Sequence, residues 1–439
     1  MRSGATSTAV PVAVGWTLAG RLNKVFGKWI DNVVKKKAVT AELLSSLAPY
    51  AHLPAGELEI IADLAETVTL KQGLVTDELP QGELLFLLSG GLQIQTRHNA
   101  ILRLSADSPQ ALYPIPRRPR VASLFVHESA KLLCLPQPVQ PVAHAGKGDD
   151  RVRPELSPEE KTALESLRER FRSSGSDLPS LPDLALKIGK AIDNPNNTNE
   201  DIARLIQLDP ALAARLLAVV NSAAFGGVSK ISSINQAAGR LGRNKVRSLV
   251  YSCLLRNVFK SDSSRLKQRM LELWQHSTHV AALSYVLARE TPGVDPERAL
   301  LAGLIHDIGS VAVISGIRHF PVLAERDAVL DYCIESLRVE VGIAILRRWK
   351  LADEFEEVVR DAENWVRTGS AIPEDSDVVI LAQMHALIGS PAKVRVPRID
   401  TIPAFSKLVQ GELSPRHSLT MLEEAEADVR EIRAMISGA

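Results

Sequence analysis

The stretch Gly303-Leu304-Ile305-His306-Asp307-Ile308-Gly309 decides how this chain is read. It lies within an apolar run from Leu300 to Ile314, which predicts a helix surrounded by core. Adjacent His306 and Asp307 in such a helix cannot both be filler, because a buried carboxylate is costly unless it is paired or metal-bound. Imidazole and carboxylate together suit a divalent cation, which lowers the pKa of a bound water for hydrolysis. A further histidine, His276, follows Trp274 and Gln275 upstream. A metal site still needs at least one more ligand, and a hydrolytic site also needs a general acid or base.

Working outward, apolar residues recur with a helical period over Leu184 to Ile192, Asn199 to Gln207, Lys245 to Phe259, Leu266 to Glu290 and Pro296 to Leu304. The pattern continues over Val329 to Arg348, Asp353 to Thr368, Asp377 to Leu387 and Ser418 to Ile436. Asp209-Pro210 reads as an N-cap followed by proline in the first turn, with Leu212, Leu216, Leu217 and Val220 as the buried stripe and Gly226-Gly227 as the stop. Residues 159–439 therefore read as an all-α domain.

Residues 41–138 have another character. Short strand-like runs (Glu66 to Leu70, Leu84 to Leu88, Leu92 to Thr96, Ile101 to Leu104, Val121 to Phe125, Lys131 to Leu135) are punctuated by Gly, Pro, Asn and Asp, as a small β-roll requires. Gly90-Gly91 reads as a tight connection between two of them. Residues 139–158, rich in Pro, Gly and charge, read as a linker. The expected class is α+β and multidomain.

In residues 1–40, Leu18, Leu22, Phe26, Trp29 and Val33 form one helical stripe beside Arg21, Lys24, Lys28 and Lys35-Lys36-Lys37. Residues 15–37 suit an anionic membrane surface, a partner's groove or, most plainly, packing on their own fold. Ala5 to Gly20 makes a poor signal peptide, and no run of the roughly 20 apolar residues needed for a membrane span is found.

Across 439 residues, 52 Lys+Arg against 51 Asp+Glu leave a net charge of +1, which argues against a nucleic-acid coat. The basic clusters Arg117, Arg118, Arg120 and Arg240, Arg243, Lys245, Arg247 lack the interleaved aromatics of a nucleic-acid platform. Cys134, Cys253 and Cys333 are far apart and in no C-x-x-C pair, so neither a disulfide scaffold nor a thiolate zinc site is expected, and a reducing cytoplasm fits.

The helical region resembles an HDOD domain. The resemblance is carried by Leu178-Pro-Ser-Leu-Pro182, Leu208-Asp209-Pro210-Ala-Leu212, Asn221-Ser222-Ala223, Leu241-Gly242, Trp274-Gln-His276-Ser277 and the His306-Asp307 stretch. That family is related to the HD metal-dependent phosphohydrolases and to the HD-GYP cyclic-di-GMP phosphodiesterases. The resemblance implies a helical signalling module that is regulatory and non-catalytic. Relative to the catalytic relatives, Arg338 stands where a histidine belongs, Ala362-Glu363 replaces a histidine pair, and Ala382-Gln383 replaces an Ala-Asp pair. His276, His306 and Asp307 remain as vestigial metal candidates, with Asp361 and Glu363 as nearby carboxylates. An Asp307 to His276 hydrogen bond, or an Asp307 to Arg338 ion pair, satisfies these groups without metal.

The strand-rich region is similar to a cyclic-nucleotide-binding domain over Gly82-Glu-Leu-Leu-Phe-Leu-Leu-Ser-Gly90-Gly91, Ile101-Leu-Arg-Leu and Arg120-Val-Ala-Ser. The resemblance implies that Arg120 meets a cyclic phosphate. Ser108-Pro109-Gln110-Ala111 stands where the family's Gly-Glu pair belongs, which reads as a degenerate roll. The expectation is thus a cytoplasmic, non-catalytic signalling protein with no cofactor and no nucleic-acid partner, acting on other signalling proteins. A metal-dependent phosphohydrolase of nucleotides or cyclic dinucleotides, and a cyclic-nucleotide sensor, are the alternatives.

Overall fold

The computed structural model describes residues 39–51, 53–75, 83–96, 101–116, 121–136, 153–173, 178–222, 230–261, 263–388, 397–408 and 425–437. The basic stripe of residues 15–37, Arg117, Arg118 and Arg120, residues 139–152 of the expected linker, and the expected stop at Gly226-Gly227 lie outside them.

Four antiparallel strands, β1 (Glu66–Val75), β2 (Glu83–Thr96), β3 (Ile101–Ser105) and β4 (Val121–Pro136), form a sheet in the order β1-β4-β2-β3. Successive side chains of a strand face opposite ways, so the continuous apolar run Leu84 to Leu88 needs cover on both sides. Leu85 and Leu87 join Ile94, Leu124 and Val126 in one layer. Phe86, Leu133 and Leu135 join the other, under helices α1 (Ala41–Ser46) and α2 (Ala55–Leu64). Tyr50 anchors that second layer, its hydroxyl donating to the Pro136 carbonyl at 2.7 Å.

Gly90-Gly91 is not the connection expected from the sequence. It lies inside β2, where pairing with β4 slips between Leu87 and Ser89 and again between Gly90 and Leu92. Gly90 adopts φ +84°, and a Cβ there would lie 2.1 Å from the Ser129 carbonyl oxygen. Glycine here admits a bulge in a continuous strand rather than a turn. The same bulges make one strand of each run pair that the sequence had divided.

The helices that follow are α3 (Pro158–Ser173), α4 (Asp183–Asp193), α5 (Asn199–Gln207), α6 (Pro210–Val220), α7 (Ile234–Leu241), α8 (Arg243–Leu254), α9 (Ser264–Arg289), α10 (Pro296–Ile305) and α11 (Ile308–Ile317). Then come α12 (Asp327–Trp349), α13 (Ala352–Asp361), α14 (Asp375–Ile388), α15 (Pro403–Leu408) and α16 (Glu426–Ser437). One contiguous apolar core joins them. No run of membrane-spanning length is expected from the sequence, yet among the described residues Pro296–Ile317 passes by length and composition; 89% of its most apolar window is buried in this core.

Two helices depart from the sequence pattern. The run through His306-Asp307 is broken: Asp307 has φ −117° and ψ 25° and separates α10 from α11. The helix expected to reach Thr368 stops at Asp361, and beyond it Arg367 turns inward to a ring of carboxylates.

That inward turn also joins the sheet to the helices. Ala371 and Ile372 are buried in the sheet's own core layer, and the Ala371 amide donates to the Pro114 carbonyl at 2.7 Å. Beside them Tyr113 is hydrogen-bonded to Ser406 at 2.8 Å, and Lys407 lies 5.4 Å from the Tyr113 ring centroid. Lys407, fully buried, donates to Asp377 at 2.5 Å, and Arg367 donates to the same carboxylate oxygen at 2.9 Å. Two buried cations are thereby held by Asp377, with Asp361, Glu374 and Glu357 completing the ring around Arg367.

Candidate functional site at His306 and Asp307

Four elements bring the site together. α9 carries Trp274 and His276, the α10–α11 break carries His306 and Asp307, α12 carries Arg338, and α14 carries Gln383. The approach of α11 to α12 depends on Gly309, where a Cβ would sit 1.8 Å from the Arg338 carbonyl oxygen. That close contact brings the Arg338 side chain to Asp307.

His306 is fully buried, and its Nδ1 lies 2.7 Å from the Gly303 carbonyl oxygen. A carbonyl only accepts, so the ring proton sits on Nδ1 and Nε2 keeps its lone pair. Among the described residues that Nε2 has no hydrogen-bond partner. Burial pushes the His306 pKa down to about 4, so the ring is neutral near pH 7.

The His276 ring meets the His306 ring edge-on at 5.4 Å, but its Nε2 is 2.8 Å from Gln383 Oε1. His276 is therefore paired with Gln383 rather than with Asp307. Asp307 accepts from the Ser310 hydroxyl at 2.6 Å, and its Oδ1 lies 3.6 Å from Arg338 Nη1. The other end of the guanidinium is 2.9 Å from Glu363 Oε2. Burial works against the Arg338 charge, yet Glu363, Asp307 and Glu335 outweigh it and hold the pKa above the usual arginine value. Of the two sequence alternatives, the Asp307 to Arg338 ion pair is the one that forms.

These residues do not fit a divalent cation. His306 offers one lone pair, His276 Nε2 is spent on an amide oxygen, and Asp307 and Glu363 share a fixed guanidinium. Asp361 faces Arg367 instead, at 3.1 Å. No group of three or more His, Cys, Asp or Glu arranged to hold a metal is found among the described residues.

The other signature residues stabilise the helical frame. Asp209 caps α6 by accepting the Leu212 amide at 3.0 Å, with Pro210 as the first helical residue. Asn221, just after α6, exchanges two 2.7 Å hydrogen bonds with the Ile231 backbone. Ser222 is buried beside it, Gly242 joins α7 to α8 at φ +83°, and Trp274 stacks edge-on against Phe259 at 4.8 Å. Sequence reasoning placed Gln383 at a lost ligand position but did not find it as the His276 partner. It also missed the Arg367, Asp377 and Lys407 cluster, whose sequence signal is only an arginine in an acid-rich segment.

Residues 178–365 match the HDOD domain family. An uncharacterized protein of Treponema pallidum (strain Nichols) is 32% identical over 202 residues, which are 43% of this chain and 38% of that protein, so the match spans well under half of the relative. Among solved structures, a Shewanella amazonensis SB2B protein provisionally named a metal-dependent phosphohydrolase superposes with TM-score 0.54 at 23% identity, covering 64% of this chain and all of the other. An HDOD domain protein of unknown function from Geobacter sulfurreducens gives TM-score 0.45 at 21% identity, covering 63% and 97%. The Shewanella likeness shows a shared helical fold. With the family match and the motifs assembled above, residues 178–365 of this chain are an HDOD domain, carried beside an antiparallel sheet.

Proposed function

We propose that this protein is a non-catalytic regulatory component that acts on other signalling proteins through its HDOD domain. One observation carries the reading: the Arg338 guanidinium lies between Asp307 and Glu363. A fixed cation there neutralises the carboxylates that a divalent ion would need and repels the ion itself. Without an ion there is no activated water, and what the domain offers is helical surface. We place its work in the cytoplasm, with protein partners, no cofactor and no nucleic acid. The test is affinity capture with the full chain across growth states, paired with hydrolysis of bis(p-nitrophenyl) phosphate in added manganese. A stable protein partner and no turnover above the blank support the reading; turnover that is lost in an Asp307→Asn variant overturns it.

A second reading, metal-dependent phosphohydrolysis, is favoured by the His306 tautomer. A metal-bound imidazole commonly donates its other N–H to a carbonyl, as His306 does to Gly303. It requires stoichiometric manganese, iron or zinc that survives chelation and dialysis. The cyclic-nucleotide-binding reading of the sheet draws on the antiparallel architecture and on Arg120, and calorimetric titration with cyclic AMP, cyclic GMP and cyclic di-GMP decides it.

A further inference from the structure

Helix α16 lies against α9, α6 and α8, outside the residues 178–365 that match the family. Ala425, Val429, Ile432 and Ile436 recur at four, three and four residues, so they share one stripe, and all four are buried. Its outer face carries exposed charge, with Arg430 paired to Glu426 at 2.9 Å. The seat belongs to the HDOD domain itself: Val219 of α6, Leu249 and Cys253 of α8 and Leu300 of α10 face Ile432 and Ile436. An amphipathic helix thus fills an apolar groove, which is also how one protein recognises a helix of another.

The rim and the floor of this seat fit α16 unequally. At the rim, Arg289 Nη1 donates to Asp428 Oδ2 at 2.8 Å. Under the stripe an apolar gap of about 10 Å³ remains, close to the least space that holds one water. On α9 the buried Nδ1 of His279 has no hydrogen-bond partner among the described residues. Arg433 of α16 offers that imidazole the wrong charge: burial pushes the His279 pKa down to about 4, and the Arg433 charge pushes the same way. A helix integral to a core is expected to satisfy what it covers, and α16 leaves both a void and an orphaned ring nitrogen.

We propose that this groove is the docking site for an amphipathic helix of a partner protein, and that α16 occupies it in cis until that helix displaces it. The partner helix carries apolar residues at the four positions of the stripe, an acid facing Arg289, and a carboxylate or amide oxygen where α16 carries Arg433. The inference rests on the regulatory reading above and names the surface that reading needs. A tethered helix competes at an effective concentration on the order of millimolar, so the incoming helix gains by correcting the contact near His279.

The test is fluorescence anisotropy of a labelled synthetic peptide, residues 421–439 with Arg433→Glu, titrated with the full chain. Asp428→Arg in the full chain loosens its own α16 at the rim and leaves the apolar stripe intact. That variant is expected to bind the peptide saturably and at least tenfold more tightly than the parent chain. Ile432→Asp/Ile436→Asp is a second way to unseat α16. In that background, adding Arg289→Glu should weaken binding at least tenfold, and Asp428→Arg in the peptide should restore it. Absence of saturable binding to both unseated chains overturns the proposal, as does binding indifferent to Arg289→Glu. A parent chain that sediments as a dimer and dissociates on addition of peptide also overturns it, because the occupant is then α16 of a second copy. Phosphodiester turnover measured on the same samples separates the two claims. Binding accompanied by turnover that Asp307→Asn abolishes keeps the groove and removes the regulatory reading, whereas neither binding nor turnover removes the groove alone.

Discussion

The Nε2 of His276 lies 2.8 Å from the Oε1 of Gln383. An amide oxygen cannot donate, so the imidazole proton is held between them, and the nitrogen that would otherwise face an ion is already occupied. Replacing Gln383 with Leu keeps the shape and leaves a sheltered N–H without its acceptor. The expected loss is about 1–2 kcal/mol in urea unfolding. A midpoint unchanged from the parent chain would show that the contact is idle.

Arg338 carries a larger share. It is flanked by Asp307 and Glu363, all three with side chains at most a quarter exposed. Arg338→Ala should cost about 3 kcal/mol, because the two carboxylates are left facing each other without a cation. Adding Glu363→Ala should restore part of that loss. A double variant as unstable as the sum of the single ones would mean that the two side chains are not coupled.

Gly309 sets the spacing that makes the Arg338 contact. A methyl group added there would meet the Arg338 carbonyl oxygen at 1.8 Å, and a backbone atom cannot rotate away. Gly309→Ala should therefore destabilise the chain by about 3 kcal/mol or more. Retention of the parental melting temperature would refute the close approach of α11 and α12.

Acid should weaken the fold in a defined window. His279, His306 and His385 are each pushed down to about 4, chiefly by burial, from an ordinary value of 6.5. As pH falls below 6.5 the unfolded chain takes protons that the folded chain refuses until about 4. Their contribution is complete above pH 6.5 and is lost on the way down to pH 4. His306→Asn, which can keep a donor toward Gly303, should reduce the slope of stability against pH in this window by up to about 1.4 kcal/mol per pH unit. A parental slope in that variant would count against the buried, neutral ring.

Much of the helical architecture was legible because local chemistry and tertiary packing agree. The periodic run Asn199 to Gln207 is α5, and Asp209-Pro210 opens α6 as a cap should. The sheet's long strands were harder to read, since the glycines that permit bulges in β2 resemble turn signals. The candidate site was half legible. His306, Asp307 and Arg338 stand together as the motif suggested, whereas the partner of His276 comes from residue 383, a separation that no local period reports. Arg367 gave only a weak signal for another reason: its carboxylates, 357, 361, 374 and 377, flank it in an acid-rich segment, which more often marks a solvated face, and only the fold turns all four onto one guanidinium.

The loop that buries Ala371 and Ile372 beneath the β-strands makes the boundary at residue 365 one of kinship rather than of autonomy. A fragment cut there would strip the amino-terminal sheet of part of its filling, and removing that sheet would leave two greasy side chains in water. Calorimetry of the whole chain should accordingly record a single melting event, with each half serving as the other's chaperone.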